Sequence, residues 1–135
     1  MLSGRWTYRS YHNDPALVGS DAQAALAMIF GEGVFDLADR DGAISGTLDM
    51  GSGYVLDLNG NATGEGAFLI IGLGRAGTPT EGWRYDYNGG PGWEWPNGIE
   101  QVPSLLGTVI RVNQHGPQSP AGVTCSFIAV AQPST

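Results

Sequence analysis

Apolar and polar side chains alternate along most of this chain, in short runs separated by glycine-rich breaks. The run from Ser3 to Tyr11 sets the pattern. Trp6 and Tyr8 fall on one face and Thr7, Arg9 and Tyr11 on the other, the period of two that marks a strand with one buried side. His12-Asn13-Asp14-Pro15 breaks that run, and residues 12–27 read as a structured loop in which Ser20-Asp21 caps a short Ala-rich helical turn. A second strand, about Met28 to Ala38, is followed by Asp39-Arg40-Asp41-Gly42, a tight hairpin turn.

The third strand, Ala43 to Met50, points Ile44, Leu48 and Met50 one way, and the fourth, Tyr54 to Asn59, does the same with Tyr54, Leu56 and Leu58. Gly66 to Gly74 is more continuously apolar through Phe68-Leu69-Ile70-Ile71, which predicts a strand covered on both faces. Trp83 to Asn88, Leu105 to Asn113 and Val123 to Ala131 complete a series of eight, with Trp83, Tyr85 and Tyr87 alternating against Arg84 and Asp86.

Every connection is short except 12–27 and 89–104, so consecutive strands are expected to be neighbours. Eight strands in a meander close on themselves, abolish their edges and leave room for side chains or one small ligand. The expected fold is therefore all-β, an eight-stranded antiparallel up-and-down barrel in a single domain spanning 1–135. Composition agrees: glycine is 22 of 135 residues and charged residues only 14%, a bias that suits tight turns more than helices. Strand direction places the loops holding His12, Ser52, Thr78 to Glu81 and His115 at one end. The turns at Gly42 and Gly60 and the loop 89–104 fall at the other, beside Trp6.

The triplet Gly4-Arg5-Trp6 at the start of the first strand resembles the Gly-x-Trp motif of the calycins, the lipocalin and avidin group of barrels. That resemblance implies a calycin-like barrel holding a small molecule. Lipocalins usually cross the Trp ring with a late basic residue, a cation–π contact. Here the last predicted strand has no Arg or Lys, and Arg111 lies one strand earlier.

Charge narrows the partners. The chain has no lysine, and six arginines against thirteen acids give a net charge of −7, which argues against nucleic acid and anionic membranes. No apolar run approaches 18 residues and the opening residues lack the pattern of a signal peptide, so the expected location is cytoplasmic. Cys125 is the single cysteine, excluding an internal disulfide; a buried strand residue is its simplest role.

Two groups of residues carry candidate chemistry. His12, His115 and Arg111 share the predicted mouth, where they either orient an acidic or carbonyl-bearing ligand or are solvated surface groups. Glu32 joins them as an acid or base if Phe30 and Val34 face inward; with Ile29 and Phe35 inward it is a surface residue. The aromatic residues Trp6, Tyr8, Tyr54, Trp83, Tyr85 and Tyr87, with Phe30, Leu48, Met50 and Leu56, read as the lining of an apolar cavity or as a filled core.

The loop 89–104 carries Trp93 and Trp95 and is long enough to have a function of its own, as plug, lid or contact in a homo-oligomer. Other motif matches fail on context. Gly72-Leu73-Gly74-Arg75-Ala76-Gly77 lacks the following helix of a dinucleotide site. Asp39-Arg40-Asp41-Gly42 lacks the first and last carboxylates of a calcium loop. Asn61-Ala62-Thr63 is a glycosylation sequon without a secretory signal. No cofactor or metal is implied. The leading expectation is binding of a small apolar or aromatic molecule; the alternative is a cyclase, isomerase or decarboxylase on the same barrel using Glu32, His12 or His115, and Arg111.

Overall fold

A computed structural model describes residues 2–13 and 18–133. The eight strands are β1 (Gly4–His12), β2 (Ile29–Arg40), β3 (Ala43–Asp49), β4 (Val55–Ala62), β5 (Phe68–Gly74), β6 (Arg84–Pro91), β7 (Ser104–Arg111) and β8 (Thr124–Ala131). Each pairs antiparallel with its neighbours in sequence, and β8 returns to β1, closing the barrel. The one helix among the described residues, α1 (Ala22–Ala27), precedes β2 and is capped by the Asp21 carboxylate, which accepts from the Ala24 amide at 3.1 Å. Residues 14–17 of the expected 12–27 loop lie outside the described residues.

Local chemistry explains the hairpins. Asp41 and Gly42 both adopt positive φ, 54° and 91°, the conformation a two-residue turn between twisted strands requires. The turn expected at Gly60 falls later, since β4 runs on to Ala62 and the chain reverses over 63–67. The apolar run in β5 still obeys the alternation of a strand. Phe68 and Ile70 are buried while Leu69, Ile71 and Leu73 face outward and are exposed, so the expected covering of both faces is not found.

One register irregularity matters for function. Ser10 pairs with Gly31 but Tyr11 pairs with Ile29, leaving Phe30 as an extra residue in β2. Such a bulge re-aims side chains on one side of it. Below the bulge the inward residues are Gly31, Gly33, Phe35 and Leu37; above it Phe30 also turns inward, and Glu32 is left outside.

The interior is filled from the closed end. Leu2 and Trp6 are buried there with Leu37, Ile44, Phe68 and Leu105. Trp6 Nε1 donates to the Leu2 carbonyl at 3.0 Å, and the Leu2 amide donates to Asp39 Oδ2 at 3.1 Å, strapping the chain across the barrel's base. Trp6 is thus part of the base, and Arg111 lies over other rings.

Above this layer Tyr8, Phe35, Tyr87 and Phe127 form a cluster in which every ring meets the other three, with centroid separations from 4.7 to 6.1 Å. Most of these pairs are tilted or edge-on, as ring quadrupoles favour. The cluster spans the middle of the barrel and seals it. Glycine makes room for it: a Cβ on Gly107 would overlap the Asn88 carbonyl oxygen and sit 2.8 Å from Phe127 Cε2. Gly107→Ala is therefore expected to destabilise the fold by about 2 kcal/mol, as overpacking does, measured by urea unfolding. An unchanged midpoint would show that the β6 backbone and the Phe127 ring both give way to the added methyl group.

Candidate ligand-binding site

A cavity of about 320 Å³ opens above the ring cluster. It falls at the small end of the range for pockets that hold organic ligands. Strand direction puts residues 13 and 18–28 and the connections 50–54, 75–83 and 112–123 around this mouth, and the short turns with the loop 92–103 at the opposite end. The sorting of the loops by strand direction holds. Tyr8 and Tyr87 form the floor, Leu48, Leu56 and Val109 the sides, and Phe30, Met50, Tyr54 and Trp83 the rim.

Ser10 also lines the cavity and is fully buried. Sequence reasoning passed over it, although it continues the inward parity of Trp6 and Tyr8. Val109 was missed for a related reason: the strand around it has apolar residues on both faces, with Leu106 and Ile110 outside. Gly31 contributes by what it lacks. It stands where the alternation calls for an inward side chain, and a Cβ there would already lie 3.2 Å from Ser10 Oγ.

The rim is a chain of rings. His12 meets Phe30 edge-on at 5.1 Å, Phe30 meets Tyr85 at 6.1 Å, and Tyr85 meets His115 at 5.8 Å. His115 stacks on Trp83 at 3.9 Å with planes 13° apart, and Trp83 touches Tyr54. The loop after β7 is held by the His115 amide donating to the Ser119 carbonyl, the Ser119 amide to the Gly116 carbonyl and Asn113 Nδ2 to the Gly82 carbonyl.

Arg111 closes the circle from the end of β7. Its side chain is only 8% exposed, and the guanidinium lies 5.0 Å from the Phe30 ring centroid and 5.6 Å from that of Tyr85. Nε donates to the Tyr85 hydroxyl at 2.8 Å and Nη1 to the Pro120 carbonyl at 3.2 Å. The Tyr85 oxygen also lies 2.7 Å from His115 Nε2. The Tyr85 oxygen accepts from Arg111, and its bond with His115 Nε2 runs in the direction the imidazole tautomer sets.

The electrostatics favour a neutral imidazole. Burial, and after it the positive charge of Arg111, push the His115 imidazole below its ordinary value. Burial pushes the Tyr85 phenol up, and the Arg111 hydrogen bond offsets part of that rise. Burial likewise keeps Tyr8 and Tyr87 protonated and raises the Cys125 thiol, which lies 3.8 Å from His12 Nδ1. The mouth therefore offers the buried Arg111 cation, neutral phenols and an imidazole held toward its neutral form, with the Glu32–Arg9 ion pair at its rim.

The candidate residues separate into two groups. Arg111, His115 and Tyr85 converge, with His12 nearby on the exposed side of Phe30. Glu32 also borders the cavity, but its carboxylate stands at the rim away from them, 3.3 Å from Arg9 Nε, both side chains more than half exposed. Trp6 is below the ring cluster and outside the cavity. Trp93 and Trp95 meet edge-on at 6.1 Å but are 75% and 68% exposed at the closed end, so they neither plug the barrel nor cover its mouth. Among the described residues no group of three or more His, Cys, Asp or Glu side chains is placed to hold a metal ion, and no helix is long and apolar enough to cross a membrane.

The His115 shift carries a sign. Its folded value lies below the unfolded value near 6.5, so between the two the unfolded chain binds more protons and stability rises with pH. Stability is expected to fall as pH drops from about 6.5 to 5, and to fall less in His115→Gln, measured by urea unfolding at each pH. Equal slopes in the two proteins would mean that His115 titrates normally in the fold.

No family model matches the chain, and neither does any curated protein or solved structure.

Proposed function

We propose that this barrel binds a small, largely apolar or aromatic molecule in the cavity above its ring cluster, in the manner of a calycin-like container. The observation that carries this reading is the division of the interior: a sealed aromatic layer across the middle, and above it an open chamber of about 320 Å³ lined by rings and aliphatic side chains. Polar groups are few and convergent, as in pockets that fix one orientation of an apolar ligand.

A neutral environment-sensitive dye, N-phenyl-1-naphthylamine, tests the chamber directly. One equivalent per chain is expected to bind with enhanced emission. Met50→Trp, which places an indole at the rim, is expected to weaken binding at least tenfold. Trp93→Ala with Trp95→Ala, at the opposite end, is expected to leave it unchanged. Dye binding lost in the latter variant and kept in the former would place the apolar site on the exposed loop and end the container reading.

The Tyr85 hydroxyl between Arg111 Nε and His115 Nε2 supports a second reading, an acid–base enzyme in which Arg111 clamps the substrate and the Tyr85–His115 pair exchanges a proton. Such an enzyme is a cyclase, isomerase or decarboxylase by the chemistry available. Native mass spectrometry after exposure to extract of the source cells separates the two. A container returns its ligand unchanged, whereas an enzyme converts it and His115→Gln holds the unconverted compound.

A further inference from the structure

Arg111 is the buried cation of a chain that has acids to spare. Three of the other five arginines, Arg9, Arg75 and Arg84, stand at the surface, each paired with a carboxylate, Glu32, Asp57 and Asp86 respectively. Arg111, with 8% exposure, has no carboxylate among the described residues within ion-pair distance. Its protein partners are a phenol, a carbonyl and two ring faces. Neutral partners of this kind make a buried guanidinium tolerable without neutralising it, and a buried charge without a counter-charge is costly.

The hydrogen-bond count shows where the vacancy lies. A guanidinium has five N–H donors in a fixed plane. Nε and one Nη1 proton are engaged, so 5 − 2 leaves three, including both on Nη2. Arg111 lines the chamber, and among the described residues no side-chain nitrogen or oxygen buried from solvent lacks a partner, so Nη2, which has none, keeps access to solvent.

We propose that the ligand bears a single carboxylate, whose oxygens accept from the free N–H groups of Arg111 while its apolar body rests on the aromatic floor. This rests on the container reading above and names the class of molecule contained. The planar fork of a guanidinium matches a carboxylate in two parallel bonds. A monoanion fits better than a phosphate ester because one buried cation faces the chamber, the Arg9-paired Glu32 carboxylate borders it, and the protein as a whole carries −7, which repels multiply charged anions. Chamber size limits the body to one or two rings or a short branched chain.

A matched pair of probes tests this: 2-naphthoate and 2-naphthalenemethanol, each competing against N-phenyl-1-naphthylamine at pH 7.5. Wild type is expected to bind the carboxylate at least tenfold more tightly than the alcohol. Arg111→Gln is expected to bring that ratio close to one, and Arg84→Gln, an exposed arginine outside the chamber, to leave it as in wild type. Circular dichroism confirms that each variant is folded. Equal affinities in wild type overturn the inference whether or not Arg111→Gln folds, while leaving the container intact. A preference that survives in folded Arg111→Gln also overturns it. Failure of all three compounds to bind removes the container reading, and this inference with it.

Discussion

The mutual packing of Tyr8, Phe35, Tyr87 and Phe127 decides what the rest of this barrel can be. An eight-stranded closed sheet has an interior just wide enough to be filled by side chains or to hold one small molecule, and here both happen at different heights. Four rings from β1, β2, β6 and β8 tie opposite sides of the sheet together through six pairwise contacts. Aromatic pairs of this kind contribute about 1 kcal/mol each beyond the area they bury. The layer therefore acts as a structural core, and the half of the barrel above it is free to remain hollow.

That freedom explains how Arg111 is accommodated. A guanidinium at this depth would otherwise be repelled from a closed core, but the hollow gives one side of it open space while Phe30 and Tyr85 provide ring faces on the other. Tyr85 then serves two neighbours at once, accepting from Arg111 and sharing a hydrogen bond with His115 Nε2. His115 in turn stacks on Trp83 and holds the rim. The geometry of the mouth thus follows from one buried charge, and each ring around it has a partner that limits its rotation.

Much of this was legible in the sequence, because period-two alternation survives wherever a strand has one wet face. Trp6 and Tyr8, Leu56 and Leu58, and Tyr85 and Tyr87 each announced their strand and its inward side, and Asp41-Gly42 announced its turn. Counting strands then separated the two ends of the barrel and brought Arg111 and His115 together. Alternation fails where the backbone breaks its own period. The bulge at Phe30 lets residue 30 face inward together with 31, 33 and 35, so neither parity considered for β2 described the whole strand. Glu32 became a candidate acid on one of those parities, and no local residue pattern reveals the bulge. The exposure of Leu69, Ile71 and Leu73 was hidden differently: an apolar run does not say whether its outer side chains are covered. Trp93 and Trp95 were equally ambiguous, since aromatic content argues for order without saying what the rings contact.

The hollow itself is made by small residues at inward positions, which is why its size can change without loss of the fold. Gly31 and Ser10 face each other across β1 and β2 where larger side chains would meet the Tyr8 ring, and Val109 stands opposite in β7 above the level of Phe127. None of the three belongs to the four-ring cluster. Enlarging any of them would shrink the chamber from one side while the contacts that hold the strands together stay in place below. Ligand size is set by these small residues, ligand charge by Arg111, and stability mainly by rings that contribute at most their upper surface to the chamber floor.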